Sequence, residues 1–302
     1  HPYEKLEDLP RYEELMQILL DAGCEINAQD AHGNTALLLS VHREVALILF
    51  LLQHGADPNI AEDRGGTSAH FFHHPLDHPE WFKALMANGA RLDIVRSGDG
   101  YTPLHAYASK CQLGDLSLFT PFVLDWSITD DNGNTLLHIA AAKHRHGSKT
   151  IAELLNVGID PNQRNHKGQL PIHMVEGSEQ DIQDVLDILC AGGGDLEAKD
   201  YRGCTLLTKA MRGTPQWNCR ELLPYFISRG ANINAQDHKG NGVLSYLIEP
   251  YQFRDEYLDF LLSLGADPKM VNYEGDSFLH HLAANFATIS EDTALLAMIK
   301  LM

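Results

Sequence analysis

Hydrophobic positions in this chain recur as two kinds of short stripe separated by polar loops. The first kind follows a Thr, as in Thr102-Pro103-Leu104-His105 and Thr135-Leu136-Leu137-His138. A Thr hydroxyl can accept from an orphaned backbone N–H in the first turn of a helix, and Pro suits the first helical position, where no N–H is required. The second kind is longer, as in Val45-Ala46-Leu47-Ile48-Leu49-Phe50-Leu51-Leu52, or Ile182, Val185, Leu186, Ile188 and Leu189. That spacing puts apolar side chains on one helical face, and a Gly then ends the helix. Residues 27–33, Asn27-Ala28-Gln29-Asp30-Ala31-His32-Gly33, carry the Asx and Gly residues of a turn. Each cycle therefore predicts a short helix, a second helix and a projecting hairpin.

Two markers hold the cycles in register. The first is a loop of Gly, a small or apolar residue and then Asx, clearest at Gly55-Ala56-Asp57-Pro58-Asn59, Gly158-Ile159-Asp160-Pro161-Asn162 and Gly230-Ala231-Asn232-Ile233-Asn234. The second begins with Gly at 33, 65, 100, 133, 168, 203, 240 and 275, in steps of 32 to 37 residues. Its fullest form is Gly100-Tyr101-Thr102-Pro103-Leu104-His105.

These markers resemble the ankyrin repeat, whose period is about 33 residues and whose T-P-L-H signature stands at Thr102 to His105. The resemblance covers essentially the whole chain and implies about nine degenerate repeats. The expected fold is an all-α solenoid of stacked helix-turn-helix units with projecting hairpin loops. Residues 1–302 read as a single ankyrin-repeat domain: 1–29 a partial or N-capping repeat, 30–271 seven internal repeats, and 272–302 a C-terminal or capping repeat. Because no repeat buries its apolar face alone, neighbours must stack, leaving an extended concave surface of the kind that binds proteins.

Departures from the pattern are local. The repeat over residues 97–129 closes on Leu124-Asp125-Trp126-Ser127 instead of Gly-Ala, so its second helix is expected to be irregular. His73-His74-Pro75-Leu76-Asp77-His78-Pro79 should cut a first helix short, and loops near Pro215 and Pro250 are expanded. The chain opens without Met and stops inside an apparent helix over 293–302, as expected of a fragment.

Charge narrows the classes of partner. The formal net charge of -18 repels phosphate backbones, so no nucleic-acid partner is expected. No run is long enough to span a membrane. Five cysteines without a C-x-x-C pair cannot complete an intramolecular disulfide framework, which fits a reducing compartment, cytoplasmic or nuclear, or a host cytosol for a bacterial effector.

Catalytic chemistry has no positive signal. No P-loop, G-x-S-x-G, H-E-x-x-H or dinucleotide fingerprint occurs, and no enzyme activity, cofactor or metal is expected. His70, His73, His74 and His78 are the densest imidazole cluster, but His70 holds the T-P-L-H position, where the resemblance implies a structural hydrogen bond, as for His105, His138, His173 and His280. Cys111 near His105 reads as a packing residue. Glu176, Glu179, Asp181, Asp184 and Asp187 read as one solvated helix face.

The hairpin tips are the better candidates for binding. His32, Arg64, His166, Lys167, Arg202, His238 and Lys239 are basic or imidazole groups in an acidic chain, and the last five would line up as a ridge for an acidic or phosphorylated segment of a protein partner. Solvated turn residues would show the same composition. Tyr101, Tyr201 and Tyr273 sit at or beside tips, and Tyr107 and Tyr246 follow the first-helix signature, all five being aromatic anchor candidates. The resemblance also implies that the loop residues Asn27, Asn59, Asn162 and Asn234 are candidates for asparaginyl hydroxylation, with Leu19, Leu51 and Leu154 eight residues before the first three. The alternative for them is a backbone hydrogen bond within the loop. The expected role is a scaffold or adaptor that binds through tips and concave helix face; the alternative is the substrate-targeting segment of a larger enzyme or translocated effector.

Overall fold

A computed structural model of the protein describes residues 9–41, 45–71, 79–110, 116–123, 125–143, 147–212, 219–249, 252–253 and 257–284. The chain divides into two compact units, His1–Ile159 and Asp160–Met302. Both are built from short helices joined by loops.

The first unit contains α1 (Leu9–Asp21), α2 (Ala36–Ser40), α3 (Val45–Gln53), α4 (Ser68–Phe71), α5 (Pro79–Ala87), α6 (Pro103–Ser109), α7 (Leu136–Ala141) and α8 (Gly147–Asn156). First helices pack on first helices, with α6 between α4 and α7, and second helices on second helices, with α3 between α1 and α5. In the repeat over residues 97–129, whose second helix was expected to be irregular, the described residues after α6 form a single 3-10 turn, Leu116–Leu118. Phe119 just beyond it is fully buried, its ring 4.8 Å from Phe82 and 5.4 Å from Tyr107 between centroids. Tyr107 is also fully buried and its hydroxyl donates to the Ala69 carbonyl at 2.6 Å. The structure thus corrects the reading of Tyr107 as a surface anchor: its ring completes an aromatic core.

The second unit contains a 3-10 turn (Pro171–Met174), α9 (Glu179–Ala191), α10 (Leu206–Met211), α11 (Cys219–Ser228), a 3-10 helix (Val243–Leu247), α12 (Leu258–Ser263) and α13 (Phe278–Ala284). A two-residue antiparallel pair, β1 (Ile248–Glu249) with β2 (Gln252–Phe253), occupies the expanded loop near Pro250. Buried Ile182, Leu186, Leu189, Leu206, Leu207, Leu222, Leu223 and Phe226 form the core between its helices.

Cap chemistry decides the form of each first helix. The hydroxyls of Thr35 and Thr205 accept from the N–H groups of Leu38 and Thr208 at 3.2 and 3.3 Å, and α2 and α10 follow. In the repeats of α4, α6 and α7 the cap hydroxyl instead meets the histidine three residues on, at 3.0, 2.9 and 2.9 Å for Thr67–His70, Thr102–His105 and Thr135–His138. Leu170 and Gly242 hold the same position without a hydroxyl. There the turn tightens to 3-10, and the first bonds run from His173 N to Leu170 O at 2.9 Å and from Ser245 N to Gly242 O at 3.0 Å.

The signature histidines join neighbouring turns. Nδ1 of His70, His105, His138, His173 and His280 accepts a backbone N–H from the residue three before, at 3.0 to 3.3 Å. That leaves the proton on Nε2, which in His70 and His173 donates to the carbonyls of Tyr101 (3.1 Å) and Ala198 (3.0 Å).

Candidate functional site

Six hairpin tips are each built around one acceptor. Oδ1 of Asp30, Asp130, Asn165, Asp200, Asp237 and Asn272 accepts from the N–H groups two and four residues on, at 2.8 to 3.0 Å. Successive tips are then stitched by backbone bonds, Asp63 N to His32 O (3.1 Å) in the first unit, and Tyr201 N to Lys167 O (3.1 Å), His238 N to Arg202 O (3.0 Å) and Tyr273 N to Lys239 O (2.9 Å) in the second. The residue before the acceptor adds a further bridge. Arg164 donates to the carbonyls of Gly168 and Lys199, and Gln236 to those of Gly240 and Val271, each reaching the next repeat. A tip's side chains therefore project from a rigid ribbon.

What projects differs between the units. In the second, the two residues after the acceptor are His166-Lys167, Tyr201-Arg202, His238-Lys239 and Tyr273-Glu274, all exposed. In the first, the position held by those rings carries Ala31, Asp63 and Asp131. The rings of Tyr201, His238 and Tyr273 each lie over the glycine of the preceding tip, Gly168, Gly203 and Gly240, so close that a β-carbon on that glycine would meet ring atoms at 2.3, 2.5 and 2.9 Å. Tyr201 and Tyr273 nonetheless keep 63% and 73% of their surface in solvent. The outcome is a column of exposed rings beside a column of cations. Among the described residues, no carboxylate pairs with Lys167, Arg202 or Lys239.

Behind this column lies a groove of about 540 Å³, lined by Lys167, Gln169, Asp200, Tyr201, Arg202, Cys204, Lys209 and Arg212. Lys209, half-buried, donates from Nζ to the His173 carbonyl, and burial lowers its pKa. The Arg212 guanidinium donates to Cys204 Sγ at 3.2 Å and stacks over Tyr246, 5.6 Å from the ring centroid. Sequence reasoning missed Lys209 and Arg212. The available signal was their place one and four residues after Thr208, which stands where other repeats carry the signature histidine. A comparable groove of about 750 Å³ in the first unit is lined by Arg64 and Arg96 but also by Glu62 and Asp99, and Arg96 is ion-paired to Asp99.

The remaining candidates are distributed as follows. His32 and Arg64 are exposed at first-unit tips. Tyr101 is half-buried, stacked on His105 at 5.5 Å and under the Arg96 guanidinium at 5.7 Å. Tyr246 is half-buried and donates to Asp237 at 2.7 Å, which raises the phenol pKa beyond what burial does. The loop asparagines form a ladder: Asn27, Asn59, Asn162 and Asn234 donate from Nδ2 to the carbonyls of Gly55, Gly89, Gly193 and Gly265 at 3.3, 2.8, 2.8 and 3.1 Å. Their Oδ1 atoms accept from the N–H groups of Asp57, Arg91, Asp195 and Asp267 at 2.8 to 2.9 Å. Of the acidic row, Asp181 returns to the cap Ser178, Asp184 takes Gln180, and Asp187 takes Arg229 and Tyr225. His73, His74, His78 and Cys111 lie outside the described residues. Cys24, Cys190, Cys204 and Cys219 are free thiols.

Short helix pairs, capped by a signature turn and joined by bridged loops and hairpin tips, define a repeat scaffold with an exposed ribbon of tips. The chain is similar to the ankyrin-repeat family over part of its length: the family model for ankyrin repeats in three copies matches residues 74–165, and the single-repeat model matches 32–63. It is similar to the B-cell lymphoma 3 protein homolog of Mus musculus, 29% identical over 213 residues that cover 68% of this chain and 44% of that protein. Rabankyrin-5 of Mus musculus is 25% identical over 70% of this chain and 18% of its own length, and NF-kappa-B inhibitor zeta of Homo sapiens 25% identical over 53% and 28%. The chain thus spans less than half the length of these relatives. Among the described residues, no helix is long and apolar enough to cross a membrane.

Proposed function

We propose that this chain is a protein-binding adaptor, and that its partner lays a negatively charged segment across the hairpin tips of the second unit. The observation that carries this reading is the pairing of exposed rings with unpaired cations, at Tyr201-Arg202 and His238-Lys239, in a chain of net charge -18. A rigid ribbon costs little ordering entropy on binding, and aromatic and Arg side chains dominate interface energetics. Carboxylates or phosphates on the partner would supply the complementary charge.

The curated names among its relatives, including an inhibitor of NF-kappa-B, support an adaptor over the targeting segment of an enzyme. Free thiols at Cys204 and Cys219, both buried, support a reducing compartment, the cytoplasm or nucleus. The test is affinity capture on the intact chain against the variant Lys167→Glu/Arg202→Glu/Lys239→Glu. Bound proteins should be lost in the variant, and wild-type capture should weaken as salt rises. Undiminished capture by the variant would place the binding surface elsewhere.

A further inference from the structure

We infer that the groove behind the second-unit tips is a site for a phosphomonoester, the side chain of a phosphorylated Ser or Thr in the partner segment. The inference rests on the adaptor reading above and gives it a chemical address.

Four cations, Lys167, Arg202, Lys209 and Arg212, face one groove whose lining holds a single carboxylate, Asp200. The Oδ1 of that carboxylate is already occupied by the N–H groups of Arg202 and Cys204, at 2.8 and 2.9 Å. Glu176 and Asp200 are the carboxylates whose charge acts on Lys209. Four cations exceed what one partner carboxylate can neutralise. A phosphate ester carries a charge of about -1.5 to -2 and three acceptor oxygens, and it matches the set better.

Two of the four cations are fixed in advance. Lys209 is anchored on the His173 carbonyl, leaving two of its three ammonium protons for a ligand. Arg212 is held between Cys204 Sγ and the Tyr246 ring, and Tyr246 is itself tied to Asp237. The guanidinium keeps most of its N–H donors and little of its rotamer freedom. Lys167 and Arg202 stand exposed on the tips above, free to close on a bound group. The held positions of Lys209 and Arg212 distinguish this groove from a patch of solvated lysines. The groove is open to solvent beside Tyr201, whose exposed ring offers a surface for the peptide chain on either side of the phosphate.

The test uses the full chain, immobilised, and three degenerate peptide libraries identical except for a fixed central phosphoserine, Ser or Glu. The phosphoserine library should be retained about ten-fold more than the Glu library, because the ester brings more charge and one more acceptor oxygen. Arg202→Ala and Lys209→Met should each abolish that preference, whereas Lys149→Glu, an exposed change on α8, should keep it. Thermal unfolding checks each variant. Because Lys209 also bonds the backbone, Arg202→Ala, whose side chain holds no other group, decides the matter if Lys209→Met fails to fold. Equal retention of phosphoserine and Glu libraries would overturn the phosphate site while leaving the tip surface intact. Retention that ignores the central residue, with undiminished capture by the tip triple variant, would overturn both. Inorganic phosphate that displaces the library at the library's own concentration would assign the groove to a free anion instead of a protein segment.

Discussion

Asn162 reaches one repeat ahead of itself, its side-chain amide donating to the Gly193 carbonyl at 2.8 Å while its oxygen takes the Asp195 N–H at 2.8 Å. One side chain thereby satisfies one carbonyl and one N–H of the next loop. Asn162→Ala should lower unfolding stability by about 1 kcal/mol, the low end for a hydrogen-bond pair because the loop is exposed and water replaces the lost partners. Asn162→Asp keeps the acceptor but sets a carboxylate against the carbonyl, and should be no better than Ala. Urea denaturation of both variants checks the ranking.

The same ladder sets an order for hydroxylation. Asn27 has the longest donor bond of the four, at 3.3 Å, and the leucine eight residues before it, Leu19, is 43% exposed. Leu51 and Leu154, which precede Asn59 and Asn162, are buried at 1% and 0%. Incubation with an asparaginyl hydroxylase should therefore add oxygen at Asn27 first. A mass-spectrometric time course in which Asn162 reacts as fast would break the link between loop tethering and access.

The repeat architecture was legible because cap, apolar stripe and terminating glycine recur together, so each local signal checks the others. The tip cations were legible for the same reason, since register places Lys167, Arg202 and Lys239 at one position. Tyr107 was misread because the first helix is so short that a residue five beyond the cap already turns into the second layer, where Phe82 and Phe119 wait. Lys209 and Arg212 escaped notice because their signal is relative to Thr208, which replaces the signature histidine and so hides the register that would have placed them. The 3-10 turns, by contrast, could have been read directly from Leu170 and Gly242 replacing a hydroxyl.

Buried imidazoles should make stability fall on acidification. Burial holds His70 down to about 4, against the partial support of the Tyr101 carbonyl, and lowers His105 and His173 for the same reason. The unfolded chain then binds more protons than the native one once the pH drops below the ordinary histidine value of about 6.5. The contribution is complete above that value and is lost as pH falls through the folded values, by up to about 1.4 kcal/mol per pH unit for each group. Thermal melts should decline between pH 7 and 5, and His70→Gln should start lower but decline less steeply. A flat profile for the native chain would mean that these histidines are protonated in place.

Tyr107→Phe isolates the buried hydroxyl. The ring packing on Phe82 and Phe119 survives, but the Ala69 carbonyl loses its 2.6 Å donor. A cost of about 1 to 2 kcal/mol is expected in denaturant titrations. Partner capture should be unchanged, whereas Tyr201→Ala should weaken it.

Gly168 carries two constraints that a matched pair of variants separates. Its φ of +70° disfavours any side chain, and a β-carbon there would sit 2.3 Å from Cδ1 of Tyr201. Gly230 has φ of +98° but nothing within 4 Å of the same position. Both Gly168→Ala and Gly230→Ala should lose stability, by roughly 1 kcal/mol for the backbone alone. Only Gly168→Ala must also lift the Tyr201 ring off its neighbour tip and disturb Arg202 beside it. Capture of the partner should therefore fall for Gly168→Ala and hold for Gly230→Ala at equal folded fraction. Equal affinity in the two variants would show that the placement of Tyr201 on the tip column does not contribute to binding.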